Sequence, residues 1–473
     1  MKPIDLPSEF SGPLNPDSSD SVSAGLSADI SAEANRCVAC GLCLPHCPTY
    51  RIMQSEADSP RGRIALMSGA TNGRIPMNAR FALHMDRCLT CRACEAVCPN
   101  NVHFGQLIDK TRAMLEPLRP DIPNGEVTLK PRWRKLVERE LMAKPERLDA
   151  LRPILRFYQG AGFQKWVRKS GLLGKGKLAL LEAQLPAPDK PCALPVDSKI
   201  AQSWQRIYPS TGEHRGDVGL FLGCVARLMD AETINASIIV LNRLGYTVHV
   251  PSRQTCCGAL HQHGGELEAA QNLARRNIKA FGELTTELST RGANLQAIIS
   301  TASGCGVQLA EYQHFSLPAL SSQSGGFSAK IMDISAFLAI AQGWDDIKLK
   351  PLPYKIAVHE PCSLRNVLRG AAHPYKVLAR IPEAQVIPLP GNSQCCGAAG
   401  TYFADQPEMA QVLLNDKLAA LNASGARYLA TSNVGCAMYM GSGLRATGSR
   451  AGGEQGPDIE VVHPVTLLAR QMG

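Results

Sequence analysis

Short apolar runs alternate with longer helical patterns through the second half of the chain. The apolar runs lie at residues 218–222, 247–250, 297–300, 356–358, 386–389 and 428–430. Such alternation is typical of βαβ units, in which helices cover a parallel sheet. Thirty-one residues separate Cys224 from Cys256 and thirty-two separate Cys362 from Cys395, so the pattern predicts a repeat. We expect two α/β modules, the first at residues 216–340 and the second at 341–473.

Cysteines follow each of these predicted strands. They are Cys224, Cys256, Cys257 and Cys305 in the first module, and Cys362, Cys395, Cys396 and Cys436 in the second. The carboxyl ends of parallel strands meet at one sheet edge, where open α/β folds build their ligand sites. These eight thiols are therefore possible ligands of an iron-sulfur cluster or of zinc. The alternative is that they form a structural thiol cluster without a metal. His261 and His263 follow the first Cys-Cys-Gly and could join a metal site.

The N-terminal part of the chain has helical patterns around two cysteine runs. Both runs read C-x2-C-x2-C-x3-C-P, and they contain Cys37, Cys40, Cys43 and Cys47, then Cys88, Cys91, Cys94 and Cys98. Three cysteines in a tight loop can hold three corners of a 4Fe-4S cube, and in paired runs the fourth cysteine binds the other cube. This predicts one cluster on Cys37, Cys40, Cys43 and Cys98. The second is predicted on Cys88, Cys91, Cys94 and Cys47.

Zinc and disulfides are the alternatives for these two runs. Zinc sites usually use two C-x2-C pairs, without a triple that ends in Cys-Pro. A disulfide framework is typical of short secreted chains, whereas this chain has 473 residues and 17 cysteines. Its first thirty residues hold one lysine and no long apolar run, so no secretion signal is expected. Two 4Fe-4S clusters and an electron-transfer role remain the favoured interpretation.

Composition adds little to this interpretation. Hydrophobic residues make up 45% of the chain and the net charge is +9. The length predicts more than one domain, and the charge weakly favours acidic partners or an anionic surface. No window of about eighteen apolar residues occurs, so membrane contact would be peripheral. Nucleic acid is not an expected partner.

The remaining regions have a different character. Residues 1–30 are rich in Ser, Asp, Pro and Gly and predict a mobile tail, followed by a helical two-cluster ferredoxin domain at 31–115. Residues 116–215 form a basic linker region that could dock on a membrane or a partner, or could consist of helices with solvated basic faces. Cys192 stands alone there. The basic residues include Lys130, Arg132, Arg134, Lys135, Arg139, Lys165, Arg168, Lys169, Lys175 and Lys177.

These elements together resemble the iron-sulfur subunit of bacterial glycolate oxidase (glycolate dehydrogenase). The resemblance lies in the two cysteine runs, in the stretches Ser59-Pro-Arg-Gly-Arg63 and Thr301-Ala-Ser-Gly-Cys-Gly306, and in Cys395-Cys-Gly-Ala-Ala-Gly-Thr-Tyr402. It implies FAD-binding partner subunits that oxidise glycolate, with electrons passing through this chain toward a membrane quinone. It also implies a cytoplasmic protein on the inner face of the inner membrane. No G-x-G-x-x-G follows a predicted strand, which agrees with substrate oxidation on a partner.

Related proteins leave alternatives open. Similar subunits serve glycerol-3-phosphate dehydrogenase, lactate oxidation and heterodisulfide reductase, a thiol-disulfide enzyme. In the last family the Cys-Cys-Gly module ends in C-x2-C, which supplies a fifth thiolate for a non-cubane cluster. Here Ala302 and Asn433 stand at that position. The resemblance therefore predicts four thiolates per module.

Arginines lie close in sequence to the predicted cluster ligands. They are Arg51, Arg61, Arg63, Arg87 and Arg92. Because a cube with four thiolates is anionic, nearby cations would stabilise its reduced state. The alternative is that some of them pair with Asp58, Asp86 or Glu95.

Overall fold

The computed structural model describes residues 21–119, 137–160, 163–171, 174, 176–185, 204–317, 320–448 and 459–472. These residues form two compact units. One takes the described residues within Met1–Thr90 and Cys94–Leu129, and the other those within Cys91–Ala93 and Lys130–Gly473. Residues 1–20 of the predicted tail lie outside the described residues. So do Cys192 and the basic residues Lys130, Arg132, Arg134, Lys135 and Lys175.

The N-terminal region is helical. Its helices are α1 Ser21–Ala34, α2 Pro48–Met53, α3 Pro60–Thr71, α4 Ala79–Asp86, α5 Ala93–Ala96 and α6 Phe104–Leu115. The Ser59 hydroxyl accepts a hydrogen bond from the Gly62 N–H at 2.9 Å and so caps the start of α3. Met67, Met85 and Ile108 are at most 1% exposed and form the core between α3, α4 and α6.

The predicted mobile tail ends earlier than residue 30. Helix α1 begins at Ser21, so the prediction is wrong for residues 21–30. Ile30 is 1% exposed and packs in the core with α3 and α6. The Ser31 hydroxyl also bonds the Thr71 hydroxyl at 2.8 Å. Burial of one large apolar side chain outweighs the polar composition of the surrounding sequence.

The described part of the linker region is also helical. A π-helical turn, Val137–Met142, precedes helices α7 Pro145–Gly160, α8 Phe163–Ser170 and α9 Lys177–Ala183. Arg168 pairs with Glu182 at 3.0 Å. Among the described residues, none of the helices combines the length and apolarity that a bilayer crossing requires.

The first module contains a five-stranded sheet. Its elements are β1 Ile207–Tyr208, β2 Gly216–Phe221, α10 Val225–Met229, α11 Ala231–Arg243, β3 Tyr246–His249, α12 Ala259–His263, α13 Leu267–Thr290, β4 Leu295–Ser300, α14 Ser303–Ala310, α15 Ser321–Ala329, β5 Ile331–Asp333 and α16 Ile334–Ile340. The strand order is β1-β3-β2-β4-β5. All neighbours are parallel except the edge strand β1, which pairs antiparallel with β3.

The second module repeats this topology without the extra edge strand. Its elements are β6 Lys355–His359, a π-helical turn Ser363–Val367, α17 His373–Leu378, β7 Gln385–Pro388, α18 Tyr402–Asp405, α19 Pro407–Ser424, β8 Tyr428–Thr431, α20 Val434–Gly448, β9 Glu460–Val462 and α21 Pro464–Gln471. The order β7-β6-β8-β9 is parallel throughout. The predicted α/β repeat is therefore confirmed.

The two modules share one hydrophobic core. Val218 and Leu220 of β2 belong to the same buried cluster as Ile356 and Val358 of β6. The final helix of each module packs on a helix of the other: α16 contacts α17, which precedes β7, and α21 contacts α11, which precedes β3. This reciprocal packing brings the carboxyl edges of the two sheets, where the cysteines lie, into one part of the unit.

Candidate functional site

The two N-terminal cysteine loops have the same backbone turn. Ala39 and Thr90, at equivalent places before the second cysteine of each run, have φ angles of 54° and 53°. Gly41 and Arg92, just after that cysteine, have φ angles of 86° and 56°. Left-handed backbone is uncommon outside glycine, so its repetition at matching positions indicates one loop structure built twice. Such a loop suits ligands that must converge on a compact cluster.

Five of the predicted ligands line one cavity. Cys37, Cys40 and Cys43 of the first run lie around it together with Cys98 of the second. Cys94, which the sequence assigns to the other cluster, also lines this cavity. Burial raises the pKa of the Cys43 thiol, although a hydrogen bond from the Arg61 backbone partly offsets this.

The other predicted ligands are buried or half-buried, and two of them have hydrogen-bond partners at the sulfur. Cys47 and Cys88 are buried, and Cys91 and Cys94 are half-buried. The Cys47 Sγ lies 3.2 Å from the Thr49 hydroxyl, and the Thr90 N–H donates to the Cys88 Sγ at 3.4 Å. These contacts hold the two sulfurs in fixed positions, as hydrogen bonds around metal ligands do.

Asp58 is the centre of a buried ion network beside these loops. Its carboxylate is contacted by Arg63 at 3.3 Å, by His84 at 3.1 Å and by Arg87 at 3.2 Å. Arg63 and Arg87 therefore pair with Asp58, which is the alternative to a role beside a cluster that the sequence left open. Arg61 instead lines the cavity that contains Cys37 and Cys98, pairs with Glu56 at 2.7 Å and donates to the Ala39 carbonyl at 3.1 Å.

The first module brings its four cysteines together. The Sγ atoms of Cys224 and Cys256 are 3.3 Å apart, and the Cys305 thiol hydrogen-bonds that of Cys257. The Gly258 N–H donates to the Cys256 Sγ at 3.4 Å. Hydrogen bonds from the Cys224 and Cys257 thiols hold the pKa of Cys256 well below its usual value, despite complete burial.

The second module repeats this arrangement. Cys362 and Cys395 lie 4.0 Å apart, the Gly397 N–H donates to the Cys395 Sγ at 3.5 Å, and Cys396 contacts Cys436. Hydrogen bonds from Cys362 and Cys396 lower the pKa of Cys395, as in the first module. Strand order explains the convergence, because β6 lies between β7 and β8 just as β2 lies between β3 and β4.

The glycines after the two Cys-Cys pairs supply a matched test. Gly258 and Gly397 have φ angles of 87° and 91°, so alanine at either position costs about 1–2 kcal/mol. A Cβ at Gly397 would lie 2.7 Å from the Ala410 carbonyl oxygen, whereas at Gly258 the nearest backbone atoms of Ala270 are 3.4 Å away. We expect Gly397→Ala to lose about 1–3 kcal/mol more than Gly258→Ala, because it also overpacks the backbone. Hydrogen exchange of peptides from each module measures both losses, and a larger loss for Gly258→Ala would contradict the expectation.

The two positions that lack a fifth thiolate have structural roles. Ala302 is 4% exposed and packs in the shared core. The Asn433 amide donates to the hydroxyls of Ser303 at 3.2 Å and Ser363 at 3.4 Å, while its oxygen accepts from the Gly435 N–H. Asn433 therefore joins the two modules and begins α20.

Polar residues near the thiols differ from the sequence-based expectation. His261 pairs with Glu266 at 2.8 Å, and neither it nor His263 joins a group of three metal-ligand types in the described part of the chain. The group found there is His359, Cys396 and Cys436, whose ligand atoms lie within 4.8 Å of one another. Burial, with a smaller effect of Lys417, holds the pKa of His359 well below its usual value. Aligning the two repeats in the sequence places His359 opposite Phe221. This difference is the signal from which His359 could have been found.

Comparison with known proteins agrees with this geometry. The family profile "4Fe-4S dicluster domain" matches residues 33–102, and "Glycolate oxidase iron-sulfur subunit, linker region" matches 130–185. The profile "Cysteine-rich domain" matches twice, at 218–310 and 356–441. The predicted iron-sulfur cofactors and the predicted duplication are confirmed by these matches.

Similar proteins extend over most of the chain. A probable glycolate oxidase iron-sulfur subunit of Bacillus subtilis (strain 168) is 34% identical over 93% of this chain and 94% of its own length. The glycolate oxidase iron-sulfur subunit of Escherichia coli (strain K12) is 29% identical over 87% and 90%. Lactate utilization protein A of Oceanobacillus iheyensis is 26% identical over 53% of this chain and 96% of its own length. The chain belongs to the family of glycolate oxidase iron-sulfur subunits.

Proposed function

We propose that this chain is the electron-transfer subunit of a glycolate dehydrogenase complex. An FAD-binding partner subunit oxidises glycolate, and this chain takes the electrons from the reduced flavin and delivers them toward a membrane quinone. The observation that carries the proposal is the pair of matching cysteine loops within a chain that resembles glycolate oxidase subunits over nearly its whole length.

We also propose the ligand sets for the two 4Fe-4S clusters. Cys37, Cys40, Cys43 and Cys98 would hold one, and Cys88, Cys91, Cys94 and Cys47 the other. The cavity shared by the first four cysteines supports this exchange of the fourth ligand between the runs. When bound, the clusters would accept one electron at a time, and a reduced flavin can give up its two electrons in two such steps.

The residues around the clusters set the conditions for that transfer. The guanidinium of Arg61 donates to the Ala39 carbonyl of the first loop, and its positive charge, partly offset by the paired Glu56 carboxylate, favours the more negative, reduced state. Burial of Cys47 and Cys88 keeps water away from their sulfurs. Both effects would tune the reduction potentials of the clusters. Neither of them requires a substrate-binding group on this chain.

Replacing Cys94 by serine tests the proposal. In the complex assembled with its flavin partner, Cys94→Ser should reduce glycolate-dependent dye reduction to the level of the complex without this subunit. The flavin should still be bleached by glycolate under anaerobic conditions, because oxidation of the substrate occurs on the partner. Cys192→Ser, outside all four cysteine sets, is the matched control. Normal activity in a complex whose cluster is shown by EPR to be missing would refute the proposal.

The substrate is tested separately with the unchanged complex. We expect quinone reduction with glycolate and not with glycerol 3-phosphate. The relative named Lactate utilization protein A matches only 53% of this chain, whereas the glycolate oxidase relatives match 87% or more. Lactate is therefore the second substrate to measure, and a preference for it would assign the complex to lactate oxidation.

A further inference from the structure

His359 is a buried imidazole at the carboxyl edge of the second sheet. It is the last residue of β6 and is 1% exposed. The register of β6 and β8 sets it beside Thr431, and its Nδ1 lies 2.9 Å from the Thr431 hydroxyl oxygen. A hydrogen bond at this distance fixes the orientation of the imidazole ring, as outer-shell hydrogen bonds do for metal-binding histidines.

The thiols next to His359 complete a set of soft ligands. One ring nitrogen of His359 and the Sγ atoms of Cys396 and Cys436 all lie within 4.8 Å of one another. Zinc binds thiolate sulfur at about 2.3 Å, so tetrahedral sulfur neighbours stand about 3.8 Å apart. The Cys396 thiol hydrogen-bonds both Cys395 and Cys436, so these sulfurs are close neighbours. Spacings of this size fit ligands that share one ion, since the thiolates of a cube each bind a different iron.

In the first module, no histidine stands at the position that matches His359. Phe221 occupies the position of His359, because each is the last residue of its strand and lies three residues before the first cysteine of its set. Phe221 is 2% exposed and packs against Phe281. The two modules therefore differ in chemistry although they share a fold.

A second difference concerns charge. Gly258 packs on Ala270 and Gly397 on Ala410, and seven residues farther along each helix lie Asn277 and Lys417. Lys417 is 3% exposed and donates to the Gly391 carbonyl at 2.7 Å. A divalent ion with three thiolates and one imidazole carries one net negative charge, which the Lys417 ammonium would neutralise. In the first module Asn277 bonds the Cys256 carbonyl and the Tyr312 hydroxyl, and is neutral.

We propose that the second module binds a single tetrahedral divalent ion of the zinc class through His359, Cys396, Cys436 and a third thiolate from Cys362 or Cys395, and that the first module has no such mixed site. All of the protein ligands are buried or half-buried and no fourth position is left for water, which is typical of structural zinc sites. The ion stabilises the carboxyl edge of the second sheet. This inference does not depend on which substrate the complex oxidises.

Element-specific measurements on the full chain test it. Anaerobically purified complex should contain about one zinc and about eight irons per chain, and the zinc absorption edge should fit three sulfurs and one nitrogen. His359→Ala should lose the zinc while keeping the iron, which serves as the internal measure of folding. His463→Asn is the matched control, because it replaces another buried histidine of this module with a residue that can retain the cap of α21.

A second, milder variant keeps the test valid if His359→Ala misfolds. Thr431→Val removes only the hydroxyl that holds the imidazole, and the zinc should be stripped by about 10- to 100-fold less chelator. Unchanged zinc retention in both His359→Ala and Thr431→Val would overturn the proposal. So would an absence of zinc, or about four additional irons that disappear in Cys396→Ser, since that result would assign a cluster to this module.

Discussion

Cys37→Ser combined with Cys98→Ser is expected to remove one 4Fe-4S cluster and leave the other in place. If the fourth cysteine of each run binds the opposite cluster, these two residues share a cluster, and the cavity that both of them line supports this. The double variant should retain about four irons and four sulfides per chain. Iron and acid-labile sulfide analysis measures this, together with EPR spin quantitation of the reduced protein.

Cys37→Ser combined with Cys47→Ser is the matched comparison. These two cysteines belong to the same run but, under the proposed assignment, to different clusters, so this variant should lose both. The opposite pattern would show that each run binds its own cluster. Cys94 also lines the first cavity, and the pair Cys37→Ser with Cys94→Ser would keep one cluster only if Cys94 belonged to the first set.

Asp58→Asn is expected to destabilise the N-terminal unit by about 3–5 kcal/mol. Asp58 is 0% exposed and Arg63 is 1% exposed, so removing the carboxylate leaves a buried guanidinium without its counter-charge. The Asp58 carbonyl also accepts from Arg63 at 2.7 Å and from Thr49 at 2.8 Å, and Thr49 contacts Cys47. Loss of the network should therefore loosen a cluster ligand. The first-order rate at which the 4Fe-4S absorbance is lost on heating measures this loosening.

Glu56→Gln is the control for Asp58→Asn. Its carboxylate pairs with Arg61, but its side chain is 50% exposed, so water replaces the lost partner and the effect should be much smaller. Equal rates of cluster loss in the two variants would contradict the role of burial.

The same network predicts a pH dependence. Burial alone would raise the pKa of Asp58, but the hydrogen bond from His84 and the charges of Arg63 and Arg87 outweigh it and lower the pKa below 3.8. A group with a lower pKa in the folded state stabilises the fold fully above its unfolded pKa, and loses that contribution as the pH falls through the folded value. The difference in cluster retention between the unchanged chain and Asp58→Asn should thus be complete at neutral pH and shrink below about pH 4.

Local patterns were sufficient for most of the elements. Residues 104–115 have apolar side chains at helical spacing and form α6, and the predicted strand at 428–430 lies within β8. These elements form where the periodicity of side chains agrees with the core that covers them. Residues 21–30 were mispredicted because the burial of Ile30 depends on α3 and α6, which lie 30 or more residues away.

The sequence by itself determined the kind of chemistry. Iron-sulfur ligation follows from cysteine spacing, since a tight loop fixes three ligands within a few residues. Only the tertiary structure decided which other side chains meet those thiols. His359, Thr431 and Lys417 converge on Cys396 and Cys436 because β6 lies between β7 and β8 and α19 packs beside the Cys-Cys-Gly turn. Strand order and helix packing are non-local, so residues far apart in the chain become neighbours, and two repeats with the same cysteine pattern acquire different sites.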